Sequence, residues 1–169
     1  VDVTEQKKAE ERLLHDAVHD NLTGLPNREL LMNRLEAIIS IARTEEKVRP
    51  TIFVIDIDRF KQVNDGLGIS AGDTILLTVA RRLHRLLKPK DSLSRFAGDQ
   101  FALMLLSEQE PGRIAAVADA IKHAINAPIT FAKREIVLTA SIGLISWTSE
   151  QTSAEDMVKD AELAMQQAK

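Results

Sequence analysis

Residues 51–57 read TIFVIDI and residues 93–106 read LSRFAGDQFALMLL, and these two stretches decide the fold. The first is a short, β-branched apolar run, which is typical of a buried strand. The second has two apolar segments around Ala97-Gly98-Asp99-Gln100, which predicts a β-hairpin. One aspartate, Asp56, stands where the strand ends, and another, Asp99, stands in the hairpin turn. If the strand lies beside the hairpin, the two carboxylates face each other across the sheet.

Helical patterns surround these strands. Asn27 is placed to cap a helix that extends to about residue 46, and a strongly amphipathic helix is predicted over residues 74–87. Two further helices are predicted, one that ends before Pro128 and one that begins at Ser153 with a capping-box pattern. These helices supply the layers that cover a sheet.

Residues 4–19 predict a first helix whose apolar stripe is thin, which is typical of a connector or a two-helix seam. Near the other end, residues 129–131 and 136–147 are predicted to pair as strands around Lys133-Arg134. The element order is then a helix followed by βααββαββα. This order predicts an α/β (α+β) domain with layers of helices and sheet behind a helical lead-in.

The composition excludes several functions. The chain has 169 residues, of which 22 are basic and 25 acidic, so its net charge is −3 and we expect neither nucleic-acid binding nor contact with an anionic membrane. No apolar run is long enough to span a bilayer. The absence of cysteine excludes disulfides and thiolate zinc sites, and is typical of a reducing compartment. Because the chain begins at Val1 without an apolar leader, we expect it to be a segment of a longer cytoplasmic protein.

The two strand-end aspartates suit a divalent cation. Mg²⁺ prefers oxygen ligands and usually takes one or two carboxylates together with waters and substrate phosphates. Asp56 and Asp99 would supply that set. Simpler interpretations exist for the acidic residues taken singly, since Asp58 could cap the helix that follows the strand and Asp99 could be ordinary turn chemistry. The combination of these residues favours the cation site.

The surrounding residues suit a nucleotide. The small residues Ala97 and Gly98 let backbone N–H groups approach a phosphate closely, and the backbone amides of Arg59 and Phe60 open a helix. Lys61 adds a positive charge there. An amide and a carboxylate of the kind that guanine recognition needs come from two further residues, Asn64 and Asp73.

Several ordered motifs over residues 16–169 together resemble the GGDEF domain of diguanylate cyclases. They are DNLTGLPNR at 20–28, VIDIDRFKQVND at 54–65, Gly68, Gly72-Asp73, RFAGDQF at 95–101 and AELAMQQAK at 161–169. The resemblance implies a palm-like, ferredoxin-type domain related to nucleotidyl cyclases, with a central, mainly antiparallel sheet. It also implies a homodimer in which two GTP-loaded domains form cyclic di-GMP with the help of Mg²⁺ or Mn²⁺.

The resemblance assigns roles to residues of this chain. The implied metal positions are Asp56, the Ile57 carbonyl and Asp99; the phosphate contacts are Arg59 and Phe60 through their backbone, Lys61 and Lys169; the guanine contacts are Asn64 and Asp73. The signature loop holds Ala97, Gly98 and Asp99. Its next residue is Gln100, which stands where the family has a glutamate.

Four places depart from the family pattern, one of which is Ile69, where the family usually has a histidine after Gly68. Ala97 replaces the first glycine of the signature, which is tolerated if its φ is negative. Gln100 removes a negative charge beside the metal and any base function, a change that predicts weak or lost catalysis. The family's inhibitory site for cyclic di-GMP, Arg-x-x-Asp, aligns with Lys88 and Asp91, and lysine lacks arginine's bidentate fork. Weak product binding is expected there, and an ordinary helix end with a turn is the alternative.

The sequence therefore supports three functions. The first is a degenerate GGDEF domain, over residues 20–169, that binds GTP with Mg²⁺ and regulates a neighbouring phosphodiesterase domain of the EAL type. The second is a residual diguanylate cyclase, and the third is a dimerisation scaffold that binds nothing. Residues 1–19 resemble the signalling helix that leaves a PAS sensor domain.

Overall fold

The computed structural model describes residues 3–149 and 153–169, and at its centre lies an antiparallel sheet with the strand order β2-β3-β1-β6. Asp2, part of the predicted linker, lies outside the described residues. The helices are α1 (Val3–Val18), α2 (Arg28–Ala42), α3 (Phe60–Leu67), α4 (Ile69–His84), α5 (Pro111–Asn126) and α6 (Ala154–Gln167). The strands are β1 (Thr51–Ile57), β2 (Ser92–Ala97), β3 (Gln100–Leu105), β4 (Ile129–Phe131), β5 (Arg134–Ile136) and β6 (Ala140–Ser146).

The strand β1 lies in the middle of the sheet and all seven of its residues are buried. Alternate side chains point to opposite faces, as a pleated strand requires. Phe53, Ile55 and Ile57 join an apolar cluster with α4 and α5, whereas Ile52 and Val54 join a second cluster with α2 and α6. Helices thus cover both faces of an antiparallel sheet, and the predicted α/β class is confirmed.

The C-terminal strands differ from the prediction. The run 136–147 is not one strand paired with residues 129–131, since β4 pairs only with the short β5 and β6 lies in the main sheet beside β1. Residues 137–139 separate β5 from β6. The local alternation of apolar residues is the same in either arrangement, and the long-range pairing with β1 decides between them.

Most helix boundaries agree with the sequence patterns. Asn27 caps α2 by accepting a hydrogen bond from the Leu30 N–H, and Ser153 caps α6 by accepting from the Asp156 N–H, as predicted. The helix predicted over 74–87 begins earlier, at Ile69, and only Gly68 separates it from α3. It ends at His84. Gly68 has φ 95°, a left-handed value that glycine adopts without strain.

The first helix, α1, buries none of its residues, and its leucines Leu13 and Leu14 are each 70% exposed. A turn over residues 20–27 leads from α1 to α2 and contacts the sheet edge, where the Arg95 N–H donates to the Pro26 carbonyl at 3.0 Å. None of the helices in the described parts of the chain is long and apolar enough to cross a membrane.

Candidate functional site

Asp56 and Asp99 lie together at one end of the sheet. The antiparallel register places Asp56 opposite Gln100, and the Ile57 N–H donates to the Asp99 carbonyl at 3.1 Å. Asp56 is only 4% exposed. Burial, followed by the hydrogen bond and negative charge of the neighbouring Asp56 carboxyl, raises the pKa of Asp99. The two carboxylates therefore lie face to face, as expected from the sequence, and repel each other when both are ionised.

Lys169 partly neutralises this pair. Its Nζ donates to Asp56 Oδ2 at 2.7 Å, and this hydrogen bond, together with the charges of Asp56, Asp99 and Asp58, raises the pKa of Lys169. The resemblance implies a phosphate contact for this lysine. The Lys169 side chain is 48% exposed, so it lies between the buried Asp56 carboxylate and solvent.

The residues present fit a hard divalent cation. The other oxygen of Asp56, Oδ1, is buried and has no hydrogen-bond partner, which is costly for a carboxylate unless a ligand completes it. No group of three or more histidine, cysteine or acidic side chains in the described residues forms a complete metal cage. Mg²⁺ needs only one or two carboxylates when phosphates and waters supply the rest.

Asp58 has a structural role that the sequence did not indicate. The alternative interpretation, that Asp58 caps the following helix, is wrong, because the residue at the cap position of α3 is Arg59 and no side chain bonds there. Asp58 instead accepts from Thr139 Oγ1 at 2.8 Å and Ser141 Oγ at 2.7 Å. These bonds tie the residue after β1 to the start of β6 and to the residue before β6, and they leave the start of α3 without a side-chain cap.

That uncapped start of α3 is the predicted phosphate cradle. Arg59 has φ 58°, a left-handed conformation that turns the chain sharply from β1 into α3. Phe60 and Lys61 form the first turn of the helix, whose N–H groups attract anions. The exposed Lys61 side chain leaves a positive charge free in the same region. An open cavity of about 740 Å³, lined in part by Asp58, Arg59 and Lys169, extends from here toward Thr139.

Asn64 and Asp73 lie where α3 and α4 meet. A Cβ placed on Gly72 would lie 2.2 Å from Asn64 Oδ1 and 3.2 Å from the Phe60 ring. Only glycine therefore permits this position of Asn64, and the role of Gly72 is a close approach between the helices. Asp73 is the next residue of α4 and is half-buried.

The signature turn accepts its altered residues. Among the described residues, the non-glycine positions with positive φ are Arg59, Ala132 and Lys133, so Ala97 adopts an ordinary backbone. The positive φ of the turn, 29°, belongs to Gly98. Gln100 begins β3 and is half-buried beside Asp56. The turn therefore holds Ala97 without a left-handed backbone, and position 100 carries an amide and not a carboxylate.

Arg95 is a residue that sequence reasoning missed. It donates from Nε and Nη2 to the Gly98 carbonyl, at 3.1 and 2.9 Å, and from Nη1 to both oxygens of Asp20. The signal was present, since an acidic residue opens the 20–28 motif and a basic residue opens the 95–101 motif. Their contact required the fold.

The residues aligned with the inhibitory product site lie at the other end of the β2–β3 hairpin. Asp91 accepts from Leu106 N–H, Ser107 N–H, Ser107 Oγ and Lys88 N–H. Burial alone would raise its pKa, but these hydrogen bonds hold the pKa of Asp91 below its ordinary value. The Lys88 Nζ pairs with Glu108 at 3.1 Å. Both side chains already have partners, which favours the alternative of a capped turn.

Comparison with known proteins assigns this chain to a family. The family described as diguanylate cyclase, GGDEF domain, matches residues 17–169. The chain therefore belongs to the GGDEF family, and the resemblance seen in the sequence is confirmed.

Relatives agree with this assignment. The bifunctional diguanylate cyclase/cyclic di-GMP phosphodiesterase MucR of Pseudomonas aeruginosa is 35% identical over 166 residues, which is 98% of this chain and 24% of MucR. The chain thus spans about a quarter of that relative. The structure of the GGDEF domain of TpbB (YfiN) from P. aeruginosa is similar with TM-score 0.81 and 34% identity, over 89% of this chain and 87% of the other.

A third similarity concerns the fold alone. The coiled coil and GGDEF domain of DgcB from Caulobacter crescentus, a structure in complex with c-di-GMP, has TM-score 0.86 at 24% identity. It covers 97% of this chain and 86% of the DgcB chain. The shared fold in this case extends over nearly the whole chain.

Proposed function

We propose that this chain is a regulatory GGDEF domain that binds GTP together with Mg²⁺ or Mn²⁺ in the site formed by Asp56 and Asp99. The observation that carries this proposal is the buried Asp56 Oδ1, which has no partner although it lies beside a second carboxyl. A divalent cation would satisfy that oxygen and relieve the repulsion between the two groups.

Each remaining part of the site has a role in this proposal. Asp56, the Ile57 carbonyl and Asp99 would hold the cation, which when bound neutralises phosphate charge. The uncapped N–H groups at Arg59 and Phe60 would bind phosphate oxygens, with the positive charges of Lys61 and Lys169 beside them. Asn64 and Asp73 would bind the guanine edge through their amide and carboxylate.

Gln100 favours binding over turnover. The amide has nearly the shape of glutamate but carries no charge and cannot act as a base at neutral pH. A domain that keeps the cation and phosphate groups but lacks this carboxylate is suited to sensing GTP. We therefore propose that residues 20–169 signal nucleotide occupancy to a neighbouring phosphodiesterase domain of the EAL type, with α1 as the link to an upstream sensor. The name of the relative MucR combines a diguanylate cyclase with a cyclic di-GMP phosphodiesterase.

A residual diguanylate cyclase is the second candidate, and Asp56 and Asp99 favour it because both carboxylates remain. In that case two copies of the domain would have to meet with GTP bound to each. Cyclic di-GMP would then be a product, and Lys88 and Asp91 would offer it only a weak second site.

Calorimetric titration of GTP, with and without Mg²⁺, tests the proposed site directly. We expect magnesium-dependent binding, which Asp56→Asn should weaken by about 100-fold or more because it removes a cation ligand. Asp91→Asn is the matched control, since it changes an aspartate at the far end of the same hairpin and should leave the affinity unchanged. No binding at millimolar GTP would contradict both nucleotide functions and leave the scaffold.

Gln100→Glu distinguishes the sensor from the weak enzyme. In a chain that binds GTP, restoring the carboxylate should raise cyclic di-GMP production from none to a measurable rate if this position alone disables catalysis. Product formed by the unaltered chain would instead support the residual cyclase. The assay needs the protein with its native flanking domains, so that the domains can meet as a dimer.

A further inference from the structure

Two histidines lie side by side where α1 ends. His15 is in the last turn of the helix, and His19 directly follows the helix. Their rings are stacked, with centroids 3.7 Å apart and planes 8° from parallel. The other two histidines of the chain, His84 and His123, have no second histidine within four residues. The paired imidazoles are therefore a local feature of the junction between α1 and the domain.

One hydrogen bond determines which nitrogen of His19 is free. His19 Nδ1 lies 2.8 Å from the His15 carbonyl, and because a carbonyl only accepts, the proton of the neutral ring is on Nδ1. Nε2 then carries the lone pair that a metal needs. Metal-binding histidines usually have this arrangement, in which the second nitrogen donates to a carbonyl or carboxylate.

The His15 ring has a similar environment. Its Nδ1 lies 3.7 Å from Asp16 Oδ1, and a carboxylate beside Nδ1 favours the proton on that nitrogen. Neither Nε2 atom of the pair has a hydrogen-bond partner among the residues that the structure describes. Two unprotonated nitrogens are thus available on neighbouring rings.

The spacing of the rings suits one chelated cation. A cation that binds two imidazole nitrogens at about 2.0–2.1 Å in tetrahedral geometry holds them about 3.3 Å apart. The stacked rings, with centroids at 3.7 Å, are already close to that spacing. Imidazole is a ligand for Zn²⁺, Cu²⁺ and Ni²⁺, whereas Mg²⁺ prefers oxygen. The pair therefore suits a different class of cation from the one that suits Asp56 and Asp99.

The backbone beneath the pair is held in place. The Asn27 N–H donates to the Val18 carbonyl at 2.8 Å, and Asn27 Nδ2 donates to the Ala17 carbonyl at 2.9 Å. The rest of α1 lacks support from the core, because the helix buries none of its residues, and an isolated helix of this length is marginal in water. A chelate over residues 15–19 would join the last turn of α1 to the anchored end.

We propose that His15 and His19 form a two-nitrogen site for a late first-row divalent cation such as Zn²⁺, and that the bound cation stiffens the junction between α1 and the domain. Waters complete the coordination. The His15 side chain is 63% exposed, which leaves a path for the cation and room for those waters. The site is separate from the carboxylate pair and does not depend on the function proposed above.

Cu²⁺ is the probe for the first test, because its electron paramagnetic resonance spectrum counts the nitrogens bound to the metal. We expect the spectrum of the parent chain with one equivalent of Cu²⁺ to show two imidazole nitrogens. Copper held by Asp56 and Asp99 would show none, so the spectrum distinguishes the two sites. An excess of Zn²⁺ should displace the copper, although Cu²⁺ binds such ligands more tightly.

Substitution of each histidine tests the ligands. In calorimetric titration with Zn²⁺, His15→Gln and His19→Gln should each weaken binding by about 100-fold or more, since each removes a ligand. His123→Gln is the matched control. His123 Nδ1 also donates to the carbonyl four residues earlier, that of Asp119, at 2.9 Å, but its ring has no second imidazole beside it. This variant should bind Zn²⁺ as the parent chain does. All titrations use the Asp56→Asn background, which removes a competing carboxylate ligand.

Amide hydrogen exchange at Asn27 measures the stiffening, because this N–H bonds to the last carbonyl of α1. With Zn²⁺ at ten times its Kd, exchange at Asn27 should slow by about tenfold in the parent chain and should not change in His15→Gln. The Trp147 amide, which donates to the Pro50 carbonyl at 2.9 Å outside this junction, is the reference and should exchange at the same rate with and without Zn²⁺.

Two results would overturn the site. One is a copper spectrum with fewer than two imidazole nitrogens, and the other is a His15→Gln variant that binds Zn²⁺ as tightly as the parent chain. Two nitrogens without slower exchange at Asn27, or with equal slowing at Asn27 and Trp147, would support the site and overturn the stiffening of the junction. None of these measurements uses GTP, so the failure of the proposed nucleotide site would leave them decisive.

Discussion

The β2–β3 hairpin carries an aspartate at each end, and the two have opposite surroundings. Asp91, at the open end, accepts four hydrogen bonds, and its pKa is lowered in spite of burial. Asp99, in the turn, lies against Asp56, and its pKa is raised by burial and by that neighbour. A carboxylate whose lone pairs are used by the chain holds the fold together. A carboxylate that lies close to another carboxylate is repelled by it when both are ionised, and a bound cation reduces that repulsion.

The same contrast appears at the two positions that the family resemblance singles out. At the open end, Lys88 and Asp91 have partners within the domain, which a ligand would have to displace. At the turn, Asp56 Oδ1 is buried without a partner. The second arrangement costs free energy in the absence of a ligand, and sites with that property are where binding energy is gained.

Two substitutions test this contrast, Asp91→Ala and Asp99→Asn. We expect Asp91→Ala to have the larger effect on the free energy of unfolding. The change leaves the N–H groups of Leu106 and Ser107 without acceptors, and we expect the free energy of unfolding at pH 7 to fall by about 2 kcal/mol. Chemical denaturation measures this directly. Because the pKa of Asp91 is lowered in the fold, its contribution is present above the ordinary pKa of aspartate and is lost as the pH falls through the lowered value. The variant should therefore differ least from the parent chain in strong acid.

Asp91→Asn is the control for that experiment. Its amide keeps one acceptor oxygen, so it should lose less stability than the alanine variant. A loss as small as that of an exposed aspartate, for example in Asp65→Ala, would contradict the structural role of Asp91 and reopen the residue as a binding group.

The sequence predicted the pairing of β1 with the hairpin that bears Asp99 better than it predicted the position of β6. The β1 run and the AGDQ turn have local patterns that specify a strand and a hairpin, and their antiparallel pairing brought Asp56 and Asp99 together as expected. The pairing of β6 with β1, by contrast, could not be predicted from the local pattern. The apolar and polar residues over 136–147 alternate in the way that one continuous strand would require.

The roles of single polar side chains were harder to predict for the same reason. Asp58 follows a strand and precedes a helix, a position typical of a cap, yet its partners are distant in sequence: Ser141 at the start of β6 and Thr139 just before it. Asp20 and Arg95 are likewise 75 residues apart. Such contacts depend on tertiary structure, whereas caps such as Asn27 and Ser153 act within one turn and were predicted correctly.

Asp99→Asn should change the free energy of unfolding less than Asp91→Ala does, and should raise it where Asp91→Ala lowers it. Since the pKa of Asp99 is raised in the fold, the native state keeps this proton to a higher pH than the unfolded chain does. Ionisation of Asp99 therefore reduces stability as the pH rises from the unfolded to the raised folded pKa. The amide removes that loss, so we expect the variant to be more stable than the parent chain at pH 7, by about 1 kcal/mol or less, and no more stable at pH 3. Denaturation at both pH values, without divalent cations, measures the difference.

Added Mg²⁺ with GTP should reverse the order of stability of the two chains at pH 7, because only the parent chain keeps both cation ligands. An Asp99→Asn variant that is less stable at pH 7 without the cation would show that the turn carboxylate supports the fold, as Asp91 does, and would remove the contrast between the two ends of the hairpin.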